Sequence, residues 1–267
     1  MQVTQLAVYP IKSTGQVPLE SAVVTPRGFK HDRRWLLVDE NDRFITQRQY
    51  PLLALVRTEF VESGLLISRP DAEGIYVPTP AENGVLKTVT VWKDCCNARD
   101  AGDEAAEWFS RVLGMMCRLV YQPDHSIRPT DARYSGTGDH TSFADGFPFL
   151  LTNEASLLDL NDRLTDAVAM SRFRPNIVFS GQQPFQEDGW SRIQVGDIAF
   201  RVVKPCSRCV MTTVNPDNGQ KEGREPLMTL SRYRRTDMGV IFGQNLIPDQ
   251  EGIIRVGDRV RILDSRV

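Results

Sequence analysis

Histidine and lysine are scarce in this 267-residue chain: there are three His, and of 32 basic residues 6 are Lys against 26 Arg. Cysteine is sparse too. There are five, an odd number with Cys95 and Cys96 adjacent, which argues against the disulfide framework of a secreted protein. No uncharged apolar run is long enough to span a bilayer. Neither Gly-x-Gly-x-x-Gly nor a Walker loop occurs, so the dinucleotide-fold and P-loop readings drop out. The net charge of −2 supplies no strong field for nucleic acid or an anionic membrane. The first ten residues alternate like a strand and do not read as a signal peptide. The expectation is a soluble cytoplasmic protein with no nucleic-acid or membrane partner.

What is present is ordinary globular composition, 41% hydrophobic and 25% charged, at a length that fits one large domain or two smaller ones. The first ninety residues read as β. Val3–Tyr9, Ser21–Val24, Trp35–Asp39 and Leu65–Ser68 alternate, Thr88–Trp92 is a further short strand, and Asn41-Asp42 reads as a hairpin turn. The period then changes. Ala105, Trp108, Phe109, Val112 and Leu113 fall on one helical face over Asp103–Leu113, and Gly114 is placed to end it. Arg118–Tyr121 is strand-like, and Gln122–Gly138 reads as a loop or domain junction.

In the second half Phe147–Leu151 and Asn176–Ser180 read as strands. Asn153 is placed to cap a helix running to about Ala169, and Pro226 suits the first turn of a short helix over Glu225–Arg234. Gly196-Asp197 and Gly257-Asp258 sit in similar contexts and read as tight corners between barrel strands. The fold class expected is mainly β with α (α+β).

The most informative segment is Lys204-Pro205-Cys206-Ser207-Arg208-Cys209, running into Val210-Met211-Thr212-Thr213-Val214, which reads as a strand. A thiolate is a soft metal ligand, and a neighbouring cation favours it over the thiol. The spacing is shared by thioredoxin-type redox motifs, which sit at a helix N-terminus, and by zinc sites, which need two further ligands. Three isolated His and no second cysteine pair leave a zinc site incomplete. Two small residues on a core strand would give the same pattern. Elsewhere, Tyr9-Pro10-Ile11-Lys12-Ser13, Asp32-Arg33-Arg34-Trp35 and Phe173-Arg174-Pro175-Asn176 each place a cation at a strand end. Taken singly, each reads as a solvated charge. Asp145, in Phe-Ala-Asp-Gly-Phe-Pro, reads as a turn residue or a buried acceptor.

Taken together and in order, these motifs, with Asp217–Gly219 and Glu225-Pro226-Leu227, resemble the MOSC family, the molybdenum cofactor sulfurase C-terminal domains and their relatives. The resemblance covers nearly the whole chain and is nearest to the YcbX-like and amidoxime-reducing branch. It implies an N-terminal β-barrel domain over 1–118 and a MOSC β-barrel domain with peripheral helices over 119–267. It also implies a molybdenum cofactor between them. Carried across by position, Cys209 is the molybdenum ligand, and Cys206 has no ligand role. Ser207 and Arg208 lie in the cofactor-contacting loop. Lys12, Ser13, Arg33 and Arg174 hold the pterin phosphate and ring, and Asp145 and Asn176 are polar pocket positions. The implied activity is reduction of small N-hydroxylated substrates. The chain shows no cysteine-rich iron–sulfur motif, so electrons are expected from a separate donor protein. The alternative expectation is a carrier, of persulfide sulfur on the cysteine or of the cofactor itself.

Overall fold

A computed structural model describes residues 1–266. These residues are mainly β, with three short α-helices among them at the periphery. Its largest sheet has nine strands. Along its main path lie Val17–Leu19, Val3–Val8, Ile177–Phe179, Phe149–Asn153, Gly239–Pro248, Ile198–Ser207, Trp190–Val195 and Val260–Ser265. A four-stranded sheet (Trp35–Val38, Arg118–Tyr121, Asp94–Asp100, Leu86–Val91) and a three-stranded meander (Arg57–Val61, Gly64–Arg69, Ala72–Pro78) build the other half.

The cores do not divide at residue 118. Val3, Leu6, Val8, Val24 and Phe29 pack with Phe149, Ile177, Phe200 and Leu246 of the second half. The strand Val3–Val8 pairs antiparallel with Ile177–Phe179, and Ser21–Thr25 pairs with Gly252–Arg255. The remainder of the first half has its own core of Leu37, Leu53, Ile67, Trp108, Phe109 and Leu119. The segment after Val8 crosses from one core to the other. Lys12 N–H donates to Trp35 O over 2.8 Å and Trp35 N–H to Pro10 O over 3.0 Å. Residues 9–13 therefore lie on the seam, and that is what positions the site.

Several local expectations hold. The helix α1 spans Asp103–Leu113, buries Ala105, Trp108 and Phe109, and ends at Gly114 in the left-handed conformation. Gly196-Asp197 closes a two-residue hairpin, Val195 pairing with Ile198. The two Gly-Asp corners abut, since a Cβ on Gly196 would lie 2.8 Å from the Asp258 carboxylate. Near Asn41-Asp42 the Asp39 carboxylate accepts from the Asn41 and Arg43 N–H groups, which closes the turn.

Three expectations are corrected. Asn153 caps the helix α2, accepting from Ala155 N–H, but the helix runs only over Glu154–Asn161. Asn161 stops it by bonding both the N–H and the carbonyl of Val168 with its own side chain, folding the chain back. Pro226 is the N-cap of the helix α3, Leu227–Tyr233, and lies outside its first turn. Val210–Thr213 is a 3-10 turn. There the Thr212 and Thr213 hydroxyls donate to the carbonyls of Cys209 and Val210, so local bonds win over the strand preference of Val-Met-Thr-Thr. The strand lies earlier, over Ile198–Ser207, so it includes Cys206 and ends before Cys209.

Candidate active site

Tyr9 is the frame of the site. The ring is buried, its backbone N–H donates to the buried Asp32 carboxylate over 2.8 Å, and its hydroxyl donates to Pro175 O over 3.1 Å. The guanidinium groups of Arg33 and Arg174 lie 4.3 and 4.2 Å from the ring centroid, so one aromatic side chain holds two cations by cation–π attraction. Burial pushes the Tyr9 phenol up to about 12 despite those two cations, so the ring stays neutral. Arg33 pairs with Asp32 at 2.6 Å and donates to Asn176 Oδ1 and Arg174 O, each over 3.2 Å. Arg174 donates to Thr14 O over 2.6 Å through one Nη. Its other Nη is buried with no partner. Desolvation, joined by repulsion from Arg33, lowers the Arg174 guanidinium to about 10.

Lys12 is 6% exposed and donates to Phe143 O over 2.8 Å and to Asp145 over 2.5 Å. Desolvation lowers its ammonium to about 8, and Asp145 opposes the shift. The Asp145 side chain is 60% exposed at the cleft rim. Desolvation alone would raise its carboxyl, but Lys12, Arg48 and Arg33 outweigh it and hold the group well below the usual carboxylate range. Asp145 is therefore ionised at neutral pH.

Cys209 follows the strand Ile198–Ser207, which is pinned to Gly239–Pro248 with a register break between Pro205 and Ser207. Arg208 N–H donates to Val240 O over 2.7 Å, which fixes the exit of the chain. Arg48 Nε donates to Cys209 Sγ over 3.3 Å, and Arg48 Nη2 lies 3.8 Å from Asp145. Arg208 donates to Cys206 Sγ over 2.8 Å and to Phe173 O over 2.6 Å, while its Nε is buried without a partner.

The structure thus brings Lys12, Arg33, Asp145, Arg174, Asn176 and, through Arg48, Cys209 into one linked set. Asn176 is fully used inside it. Its Oδ1 accepts from Arg33 and Leu150 N–H, and its Nδ2 donates to Ala7 O, so it ties the strands together. Ser13 is buried beside Lys12. Ser207 is exposed at the strand end and makes no side-chain bond to the others among the described residues. Strain concentrates here. Of seven non-glycine residues with positive φ among the described residues, four are Ser13 (73°), Arg33 (47°), Trp92 (58°) and Arg174 (57°). Such conformations cost of order 1–3 kcal/mol each and gather at functional sites.

Sequence reasoning missed Arg48 and Trp92. Arg48 sits in Thr46-Gln47-Arg48-Gln49, a run without periodicity, and is one of 26 arginines. Its partner Cys209 is 161 positions away. Trp92 closes the run Thr88–Trp92, which read as an ordinary strand, whereas the strand ends at Val91. Beside the cluster, Tyr9, Gln47, Arg172, Arg174, Met211 and Val214 help line a small cavity of about 30 Å³. Together these groups can hold an anion through several donors at once and present a soft sulfur and an ionised carboxylate next to it.

The geometry defines a two-part β protein with a cationic cleft and a thiol on its seam, and comparison with known proteins names the class. The MOSC N-terminal beta barrel domain matches residues 1–116, and the MOSC domain matches residues 138–261. The chain belongs to the MOSC family, in the group that contains the mitochondrial amidoxime-reducing components. It is 38% identical over 279 residues to mitochondrial amidoxime-reducing component 1 of Mus musculus, covering 98% of this chain and 82% of that protein. Identity to component 1 of Homo sapiens is 36% over 280 residues, with the same coverage. Identity to component 2 of Rattus norvegicus is 36% over 283 residues, covering 98% of this chain and 83% of that one.

Proposed function

We propose that this chain is a molybdenum-cofactor-dependent reductase of N-hydroxylated compounds that receives its electrons from a separate redox protein. The observation that carries the reading is a soft sulfur, Cys209, facing a cleft whose cations are only partly neutralised. Arg174 Nη2 and Arg208 Nε are buried donors without acceptors. A buried unpaired donor costs about 1–3 kcal/mol, and an anionic ligand would remove that cost. The residues fit a pterin carrying a phosphate and a sulfur-seeking metal. The names of the relatives point to the same substrate class.

In this reading Cys209 ligates the metal, and Arg48 holds its sulfur. Lys12, Ser13, Arg33, Arg174, Ser207 and Arg208 hold the phosphate and ring, and Asn176 keeps Arg33 in place. When bound, the cofactor supplies a two-electron couple that removes oxygen from nitrogen. The overall change takes R–NHOH, two electrons and two protons to R–NH₂ and water. Asp145, ionised and bonded to Lys12, is placed to relay a proton between Lys12 and the cleft. The side chains orient the substrate and hold charge, and the separate donor protein restores the electrons.

The test is direct. Protein loaded with cofactor should reduce benzamidoxime to benzamidine with reduced viologen as donor, and NADH alone should not serve. Fully loaded protein that reduces no N-hydroxylated compound under viologen would overturn the reading in favour of a cofactor or sulfur carrier.

A further inference from the structure

Trp92 opens a two-residue hairpin loop, Trp92-Lys93, between the paired residues Val91 and Asp94. Its φ is 58°, whereas Lys93 is not in the left-handed region. A hairpin loop with positive φ at its first position favours glycine there, because a Cβ is strained. The turn therefore gives no reason for a tryptophan. Neither does the core. Trp35, Trp108 and Trp190 are 3%, 2% and 3% exposed, whereas Trp92 is 45% exposed.

The indole is nonetheless fixed in place. Phe44 packs at 4.9 Å between centroids, the Arg48 guanidinium lies 4.4 Å from the ring centroid, and Nε1 donates to Asp145 Oδ1 over 3.4 Å. The same Arg48 donates to Cys209 Sγ, so a single guanidinium separates the indole from the sulfur. A large aromatic side chain is thus held, partly bare, at the rim of the site, at the expense of the turn that carries it.

We propose that Trp92 is the platform on which a planar aromatic N-hydroxylated substrate stacks, and that it sets a preference for aromatic over aliphatic substrates. This rests on the reductase reading above. An aryl amidoxime is flat and conjugated. It can offset-stack on the indole while its polar end reaches towards Asp145 and Cys209, whereas an alkyl amidoxime offers no ring. Offset stacking is worth enough to change relative specificity roughly three- to tenfold.

Two measurements test it. The first compares kcat/KM for benzamidoxime and acetamidoxime, with viologen as donor, in loaded wild type, Trp92→Phe and Trp92→Gly. The aromatic-to-aliphatic ratio should fall roughly three- to tenfold in Trp92→Gly and be largely kept in Trp92→Phe. Glycine suits the turn, so Trp92→Gly should also melt no lower than wild type. A merely structural role would lower both substrates alike and leave the ratio unchanged, which would overturn the proposal. The second measurement needs no turnover. Trp92 is the one exposed tryptophan, so benzamidine, the product, should quench the intrinsic fluorescence while acetamidine at the same concentration should not. If loaded protein reduces neither amidoxime, the reductase reading fails and the platform is judged on fluorescence alone. Equal responses to the two amidines then overturn it, and selective quenching by benzamidine upholds it.

Discussion

Arg48 donates through Nε to the sulfur of Cys209 over 3.3 Å and reaches the Asp145 carboxylate, 3.8 Å away, with an Nη. One residue of the first half thus joins the thiol and the carboxylate of the second. A planar guanidinium can do this while stacked on Trp92, and an ammonium cannot. Arg48→Ala is expected to lower viologen-driven turnover at full molybdenum occupancy about tenfold or more. That corresponds to losing a charge-assisted bond of about 1.5–3 kcal/mol. Arg48→Lys should recover only part of it. Arg48 is half-buried at a cleft, so the melting temperature should change little. Wild-type turnover in Arg48→Ala would remove Arg48 from the site.

Lys12 makes anion binding depend on pH. Its ammonium sits at about 8, below its ordinary 10.5. Below pH 8 it is charged and attracts an anion. Above pH 8 the charge is lost from the free protein, and anion affinity should fall by up to about tenfold per pH unit. Stability should move the other way. Between about 8 and 10.5 the unfolded chain binds more protons at this residue, so this contribution to stability rises with pH. Pyrophosphate titrations at pH 7 and 9 test the first statement. Lys12→Met should weaken binding at pH 7 and flatten the pH dependence, and an unchanged slope would exclude Lys12 as the titrating group.

Glu187 predicts a second pH effect, remote from the cleft. It is fully buried, accepts from Asn153 Nδ2 over 3.2 Å and from Ser156 Oγ over 3.3 Å, and burial raises its carboxyl to about 7. Its ordinary value is 4.5, so between 4.5 and 7 the folded chain holds the proton and the unfolded chain does not. Stability from this group is highest below 4.5 and is lost as pH rises through 7. Glu187→Gln keeps the shape and one acceptor, and its amide can donate to Ser156. It should stabilise the protein at pH 8 by about 1–3 kcal/mol and have less effect at pH 5. Denaturant melts at the two pH values decide it. Equal effects at both would show that Glu187 does not titrate in this range.

The cation cluster can be tested by removal. Arg174→Ala removes both a bond to Thr14 O and an unpartnered buried donor, so it should weaken cofactor retention roughly tenfold or more. Arg174→Lys should not fully restore it, since Lys lacks the planar fork. Pterin content measured at limiting cofactor is the readout. Unchanged content in both variants would place the cofactor elsewhere.

Much of this was legible before the structure. The face of Ala105, Trp108 and Phe109 with a following Gly114 marks a helix and its end by local chemistry alone. The Asn153 cap and the Gly196-Asp197 corner are equally local. What was hidden depends on distance along the chain. Asn161 ends its helix by reaching Val168, a bond no apolar period announces. Val210–Thr213 has strand-forming residues, but its threonine hydroxyls bond backwards to the chain. The first strand joins the second half because Ile177–Phe179 offers it an edge, which no local pattern reveals. At the site, Lys12, Arg33, Arg174 and Cys209 stood in ordered motifs, whereas Arg48 has no motif and is defined only by what it touches.

The central claim is that Cys209 binds molybdenum in a working reductase. It is tested by measuring molybdenum, pterin and benzamidoxime reduction together in wild type, Cys206→Ser and Cys209→Ser from a host that makes the cofactor. Wild type and Cys206→Ser should hold equimolar molybdenum and pterin and turn over under viologen. Cys209→Ser should melt as wild type does yet lose turnover, since a hydroxyl is a poor substitute for a soft thiolate. A Cys209→Ser protein that keeps both molybdenum and turnover, or a Cys206→Ser protein that loses them while Cys209→Ser does not, would contradict the account.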